Sequence, residues 1–207
     1  MWKRICSLIA AGLLFCTAAF AQEGEYLSYT PYSIFGVGDL FGGTSSAYNA
    51  GMGGVGVASR NRRYLNTINP AAIAVRDSLA FMVDFSLFNK NTLYSQDYNG
   101  IKRNSANNLT NIGGFAVSFP IWNKLAGVLG LRPYSSVGYS MTYNHVDAEN
   151  GVVVYSHSGL GSLYNAYGGV AIDLWKRFSI GAEADYIFGK IEKNAVQNFL
   201  SSGYNEA

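Results

Sequence analysis

The chain has 207 residues, with 24 glycines, 15 tyrosines and 12 phenylalanines, a charged fraction of 14% and a formal charge of +2. That composition is unusual for a soluble domain and has no basic excess of the kind nucleic acid attracts. Beyond the first 21 residues no apolar run reaches the length of a membrane-spanning helix, which excludes helical spans.

Residues 1–21 have the pattern of an export signal. Lys3 and Arg4 form a basic start, residues 5–18 are apolar, and Ala19-Phe20-Ala21 is a small-x-small cleavage site. Leu13-Leu14-Phe15-Cys16 resembles a lipoprotein signal, but the bulky Phe15 stands where a small residue is needed, so ordinary cleavage is expected. Both cysteines, Cys6 and Cys16, leave with the signal, and the mature chain must be held without disulfides. An exported chain rich in Gly and Tyr, with few charges and no long apolar run, has the composition of an outer-membrane β-barrel.

Residues 22–77 show no sustained periodicity. Tyr26, Tyr29, Tyr32 and Phe35 lead into a small-residue run, Ala50-Gly51-Met52-Gly53-Gly54-Val55-Gly56-Val57-Ala58. Gly51, Gly53 and Gly56 match the spacing of a dinucleotide-binding fingerprint. No buried strand precedes them, however, and residues 64–73 lack the ribose-binding acid such a site needs. Gly51, Gly53, Gly54 and Gly56 are therefore expected to form permissive, closely packed backbone. At Asn69-Pro70-Ala71, Asn is suited to cap a short helix whose first position is filled by Pro, which has no amide hydrogen to satisfy.

Alternation of period two begins at Ser78. Leu79, Phe81, Val83, Phe85 and Leu87 share one face, and Ala80, Met82, Asp84, Ser86 and Phe88 the other. After a polar loop at 89–108, further strands are predicted at 110–121, 125–143, 152–174 and 178–189, with a second polar loop at 144–151. Arg132, Asp173, Glu183 and Asp185, like Asp84, fall opposite the apolar face and are expected to face the lumen. A Lys or Arg on the lipid side near the midplane would cost about 2–4 kcal/mol.

Trp122-Asn123-Lys124 and Trp175-Lys176-Arg177 make two short turns, each pairing an interfacial Trp with a base. Short turns lie on the periplasmic side and long loops outside. Five strands leave residues 190–207 outside as a tail. An open sheet edge is not viable in lipid, so the chain is expected to be the N-terminal part of a longer barrel.

Arg60, Arg62 and Arg63 are candidates to pair with the lumenal carboxylates. His157 has serines at 156 and 158, both on the opposite face, and His145 sits in a loop, so no nucleophile–base pair supports an enzyme. No catalytic residue, metal site or cofactor is expected.

With these residues in place, the sequence resembles the FadL-type family, the long-chain fatty acid and hydrocarbon channels of the outer membrane. The resemblance rests on the glycine run at 50–58, then Asn69-Pro70-Ala71, then the strand from Leu79. It implies an all-β fold: a transmembrane antiparallel β-barrel of about 14 strands, about five of them present here, with residues 22–77 as an N-terminal plug and 78–207 as barrel wall. It also implies passive uptake of hydrophobic small molecules through the outer membrane, with membrane lipid as the surround. The same family includes shuttle barrels of the type IX secretion system. A second expectation is therefore an interaction barrel whose loops 89–108 and 144–151 hold an exported protein or surface partner.

Overall fold

A computed structural model describes residues 27–42, 46–76, 81–98, 100–147, 151–175 and 178–200. The signal-peptide reading, Leu79, Ala80, most of the second short turn and the end of the predicted tail lie outside the described residues.

The chain is all-β apart from short turns of helix. β1 (Asp39–Leu40) is followed by α1 (Ala47–Gly51), and then by β2 (Met82–Tyr98), β3 (Ile101–Pro120), β4 (Leu125–Asp147), β5 (Gly151–Trp175) and β6 (Phe178–Leu200). The five long strands form one antiparallel meander in sequence order, and β1 joins it beside β4. Among the described residues β2 pairs only with β3, and β6 only with β5, so the sheet is open at both edges.

The strands run further than their apolar stretches. The polar segment 89–108, expected to be a loop, is the upper part of the β2–β3 hairpin, paired from Asn89↔Thr110 to Tyr98↔Ile101. Residues 144–147 and 151 likewise extend the β4–β5 hairpin, and β6 continues to Leu200 rather than ending near residue 189. Backbone pairing supplies the ladder whatever the side chains are, so polar residues continue a strand beyond the apolar band.

β3 and β4 stay together only where Phe115–Pro120 face Ala126–Leu131. Above this the β4 register shifts between Pro133 and Ser135, and Pro133 has no amide hydrogen to give to a neighbour. The chain's own N-terminal stretch occupies this edge of β4. The Thr30 amide donates to Gly138 O (2.9 Å) and the Phe41 amide to Tyr134 O (2.9 Å), while Asp39 and Leu40 pair with Ser136 and Ser135. The resulting β1 falls within residues 22–77, where the sequence shows no sustained periodicity to signal a strand.

The two faces of the sheet differ. One is bare and apolar: Val83, Phe85, Leu87, Phe115, Leu129, Val170 and Ile180 are all exposed on it, Phe85 to 56%. The other is covered by residues 46–76. There Leu65, Ile73 and Ala74 pack on Ala116, Ala126, Val128, Tyr167 and Ala171, with Val128 only 1% exposed. Burying a side chain the size of Leu65 or Ile73 contributes about 1.5–3 kcal/mol, enough for a few such contacts to hold a segment that lacks regular structure.

Candidate functional site

The residues singled out in the sequence gather on the covered face. The side chain of Asn69 accepts from the Ala71 amide at 3.0 Å and caps a 3-10 turn, Pro70–Ala74. The capping chemistry is the one expected; the helix is of the tighter type. Its backbone lies on β6, where a Cβ added at Gly181 would come within 2.6 Å of both Ala71 N and Pro70 C.

α1 runs into the glycine run and ends at Gly51. Gly53 (φ 71°) and Gly54 (φ 83°) then turn the chain in a conformation that residues with side chains rarely adopt. Gly56 is buried, and a Cβ there would meet Ile68 Cδ1 at 2.5 Å and Asn49 Nδ2 at 2.7 Å. Asn66 secures the fold-back. Its amide nitrogen donates to Gly56 O (2.6 Å) and Ser59 O (3.0 Å), and its oxygen accepts from Asn49 Nδ2 and from the Ile68 amide, both at 3.0 Å. The glycines therefore serve turning and close packing. Asn66 carried no motif signal, because its bonds follow from a fold-back that the linear pattern does not reveal.

Five charged positions of the sheet were expected to face a lumen, and all five lie on the covered face. Asp84 accepts from Ser46 Oγ at 3.0 Å. Arg132 is the hub: it reaches Glu183 Oε1 (2.9 Å), Asp185 Oδ1 (3.0 Å) and Thr67 O (3.3 Å), with its guanidinium 4.3 Å above the Tyr167 ring. Asn165 donates to Asp185 as well. Arg132 and Glu183 are largely buried, so their pairing offsets a desolvation that neither would tolerate alone. Asp173 meets Arg60 Nη2 at 3.5 Å.

This arrangement holds a segment against a sheet. His157 stacks near Tyr143 (5.9 Å), and among the described residues no group of three or more His, Cys, Asp or Glu is placed to hold a metal ion. Between α1, β2 and β4 is a cavity of about 180 Å³ lined by Phe41, Ala47, Ala50, Leu87, Phe88 and Pro133. That is below the roughly 300–1,000 Å³ of ordinary ligand pockets.

The BamG family model matches residues 1–205. The chain belongs to the BamG family. No curated protein and no solved structure matches it. The BamG family is associated with the outer membrane, in keeping with the compartment inferred from the sequence.

The match overturns the FadL-type resemblance, and with it the reading as a fatty acid or hydrocarbon channel and its type IX shuttle alternative. The physical reason lies in the motif. A glycine run that turns and packs closely, followed by an Asn-capped Pro-Ala turn lying on a strand glycine, is what any irregular segment needs to lie flat on a sheet. Such residues report the packing and leave the family open.

Proposed function

We propose that this BamG-family protein is an outer-membrane-embedded accessory subunit of the β-barrel assembly machinery, the BAM complex, and that it acts by association rather than by catalysis or solute transport. The observation that carries this reading is the family match over residues 1–205. The bare face supports the embedding. A continuous band of Val, Phe, Leu and Ile across five strands suits acyl chains and would be a liability in water.

Embedding places a demand on the edges. Strands β2 and β6 each present a row of backbone groups that lipid cannot satisfy, so in the membrane both are paired and the wall is completed by further strands. Within that wall residues 46–76 act as a fixed internal plug, clamped by Arg60–Asp173, Arg132–Thr67 and Ser46–Asp84.

Depletion of the protein from its host tests the reading. The expected result is a fall in the folded, heat-modifiable fraction of unrelated outer-membrane barrels, with unfolded precursors accumulating in the periplasm. Unchanged barrel content after complete depletion would contradict it.

A further inference from the structure

The β2–β3 and β4–β5 hairpins separate above a single rung. β3 and β4 pair as far as Phe115↔Leu131 and no further, whereas β2–β3 continues to Tyr98↔Ile101 and β4–β5 to Asp147↔Gly151. A seam therefore divides the two hairpins, and Ile112 of β3 is exposed at its mouth.

Residues 27–41 run along this seam as a strap. On the β4 side the Thr30 amide donates to Gly138 O, the Phe41 amide to Tyr134 O and the Leu27 amide to Ser136 Oγ (2.8 Å). Gly38 lets the two backbones meet: its φ is 87°, and a Cβ there would collide with Ser136 O. From the other side, Asn111 of β3 donates to Leu27 O at 2.9 Å and the Tyr94 hydroxyl of β2 to Tyr29 O at 3.0 Å. Two lysines complete the hold. Lys90 of β2 reaches Ser28 Oγ (3.0 Å) and Asp39 Oδ2 (3.4 Å), and Lys193 of β6 donates to Ile34 O (2.7 Å) and Gly36 O (2.8 Å).

What holds the strap differs in kind from what holds residues 46–76. Of its large apolar side chains only Leu27 is buried, while Tyr32, Phe35, Val37 and Leu40 are exposed, Phe35 to 75%. Its other buried residues are Ser28, Thr30 and Ser33, which are held by hydrogen bonds. Lifting the strap exchanges such bonds for bonds to water at small net cost, and its ion pair is partly exposed and open to screening by salt. Lifting residues 46–76 would instead uncover Leu65, Ile73 and Ala74 together with the sheet residues beneath them. Segments held by polar contacts at the surface open before segments held by a core.

We propose that residues 27–41 are a latch, a strap that closes the seam between β3 and β4 and lifts as a unit while the sheet and residues 46–76 stay folded. Lifting frees the Tyr134–Gly138 edge of β4 and opens a passage between the two faces of the sheet. The inference concerns the sheet itself and stands independently of the association proposed above.

The test is amide hydrogen exchange, read by segment on the full-length protein in detergent. In wild type, residues 27–41 are expected to exchange about tenfold or more faster than residues 46–76 and the β4–β5 ladder. Raising salt from about 0.05 to about 0.5 M should speed the strap alone. Lys90→Met/Lys193→Met removes both lysine ties and should speed exchange at 27–41 by about tenfold again, with residues 46–76 and β5 unchanged. Leu40→Cys/Ser135→Cys places two thiols at directly opposed positions of the antiparallel pair, close enough for a disulfide. Oxidation should slow the strap to the rate of the ladder, and reduction should restore it.

Exchange of residues 27–41 in step with residues 46–76 and β5 in wild type overturns the latch. So does fast exchange of the strap in the oxidised cysteine pair, or a lysine variant of unchanged strand circular dichroism whose strap exchanges at the wild-type rate.

Discussion

Gly181 of β6 lies directly beneath the backbone of Ala71, so close that a Cβ at Gly181 would come within 2.6 Å of Ala71 N and 2.8 Å of Ala71 Cα. The atoms in the way are main chain, which cannot rotate aside. Gly181→Val is therefore expected to lift the Pro70–Ala74 turn off the sheet at a cost of about 1–3 kcal/mol. Limited proteolysis of the folded protein should then cut within residues 46–76 well before the sheet. Ala184→Val, three positions on and exposed on the bare face, should leave the cleavage pattern unchanged.

Arg132 joins three structural elements. Arg132→Ala leaves Glu183 largely buried without its cation, and the loss is expected to be about 3–5 kcal/mol, read as a lowered denaturation midpoint in detergent. The double variant Arg132→Met/Glu183→Gln removes both charges and should recover a substantial part of that loss. A double variant no more stable than Arg132→Ala would show that the ion pair is not what the site depends on.

Asn66 uses its amide nitrogen on two carbonyls and its oxygen on two donors. Asn66→Asp keeps the shape but can no longer donate to Gly56 O and Ser59 O, and it brings a charge into a buried position. A loss of about 2–3 kcal/mol is expected. Asn69→Ala, which removes the cap on the 3-10 turn and an exposed hydrogen bond to Val57 O, should cost about 1 kcal/mol. Equal effects in thermal unfolding would contradict the central role given to Asn66.

The bare face is tested by charge. Phe85→Arg or Val170→Arg is expected to cost about 2–4 kcal/mol of folding stability in phospholipid bilayers near the midplane. The wild-type protein should resist extraction from membranes by alkaline carbonate, and should do so equally with Cys16→Ser. Release of the Cys16→Ser form alone would show a lipid-anchored protein in place of an embedded one.

Parts of this structure were legible in the sequence. Alternation identified which residues of β2 share a face, because period two is a local property: Val83, Phe85 and Leu87 are separated from Met82, Asp84 and Ser86 without reference to the fold. The Asn69 cap was legible for the same reason. In β4, by contrast, the shift between Pro133 and Ser135 reverses the parity, so that Leu129 is exposed and Val137 and Tyr139 are buried. Strand lengths were not, because at 89–98 and 101–108 the ladder continues through Asn, Ser, Lys and Gln with no apolar signal. β1 was hidden for another reason. Its partners, Ser135 and Ser136, lie some ninety-five residues away, and the edge it fills exists only because β4 departs from β3 near Pro133. Parity put the charged positions on one face of the sheet, but their meeting at Arg132 needed three strands in register. The family was misread because glycine turns and Asn-Pro-Ala caps answer a packing need common to unrelated sheets.

Isolation of the tagged full-length protein from gently solubilised outer membranes, with its companions identified by mass spectrometry, tests the central claim most directly. The account predicts that the central barrel subunit of the assembly machinery is recovered in near-stoichiometric amount and is retained through size-exclusion chromatography. Recovery of the protein alone, or only with companions unrelated to barrel assembly, would contradict it.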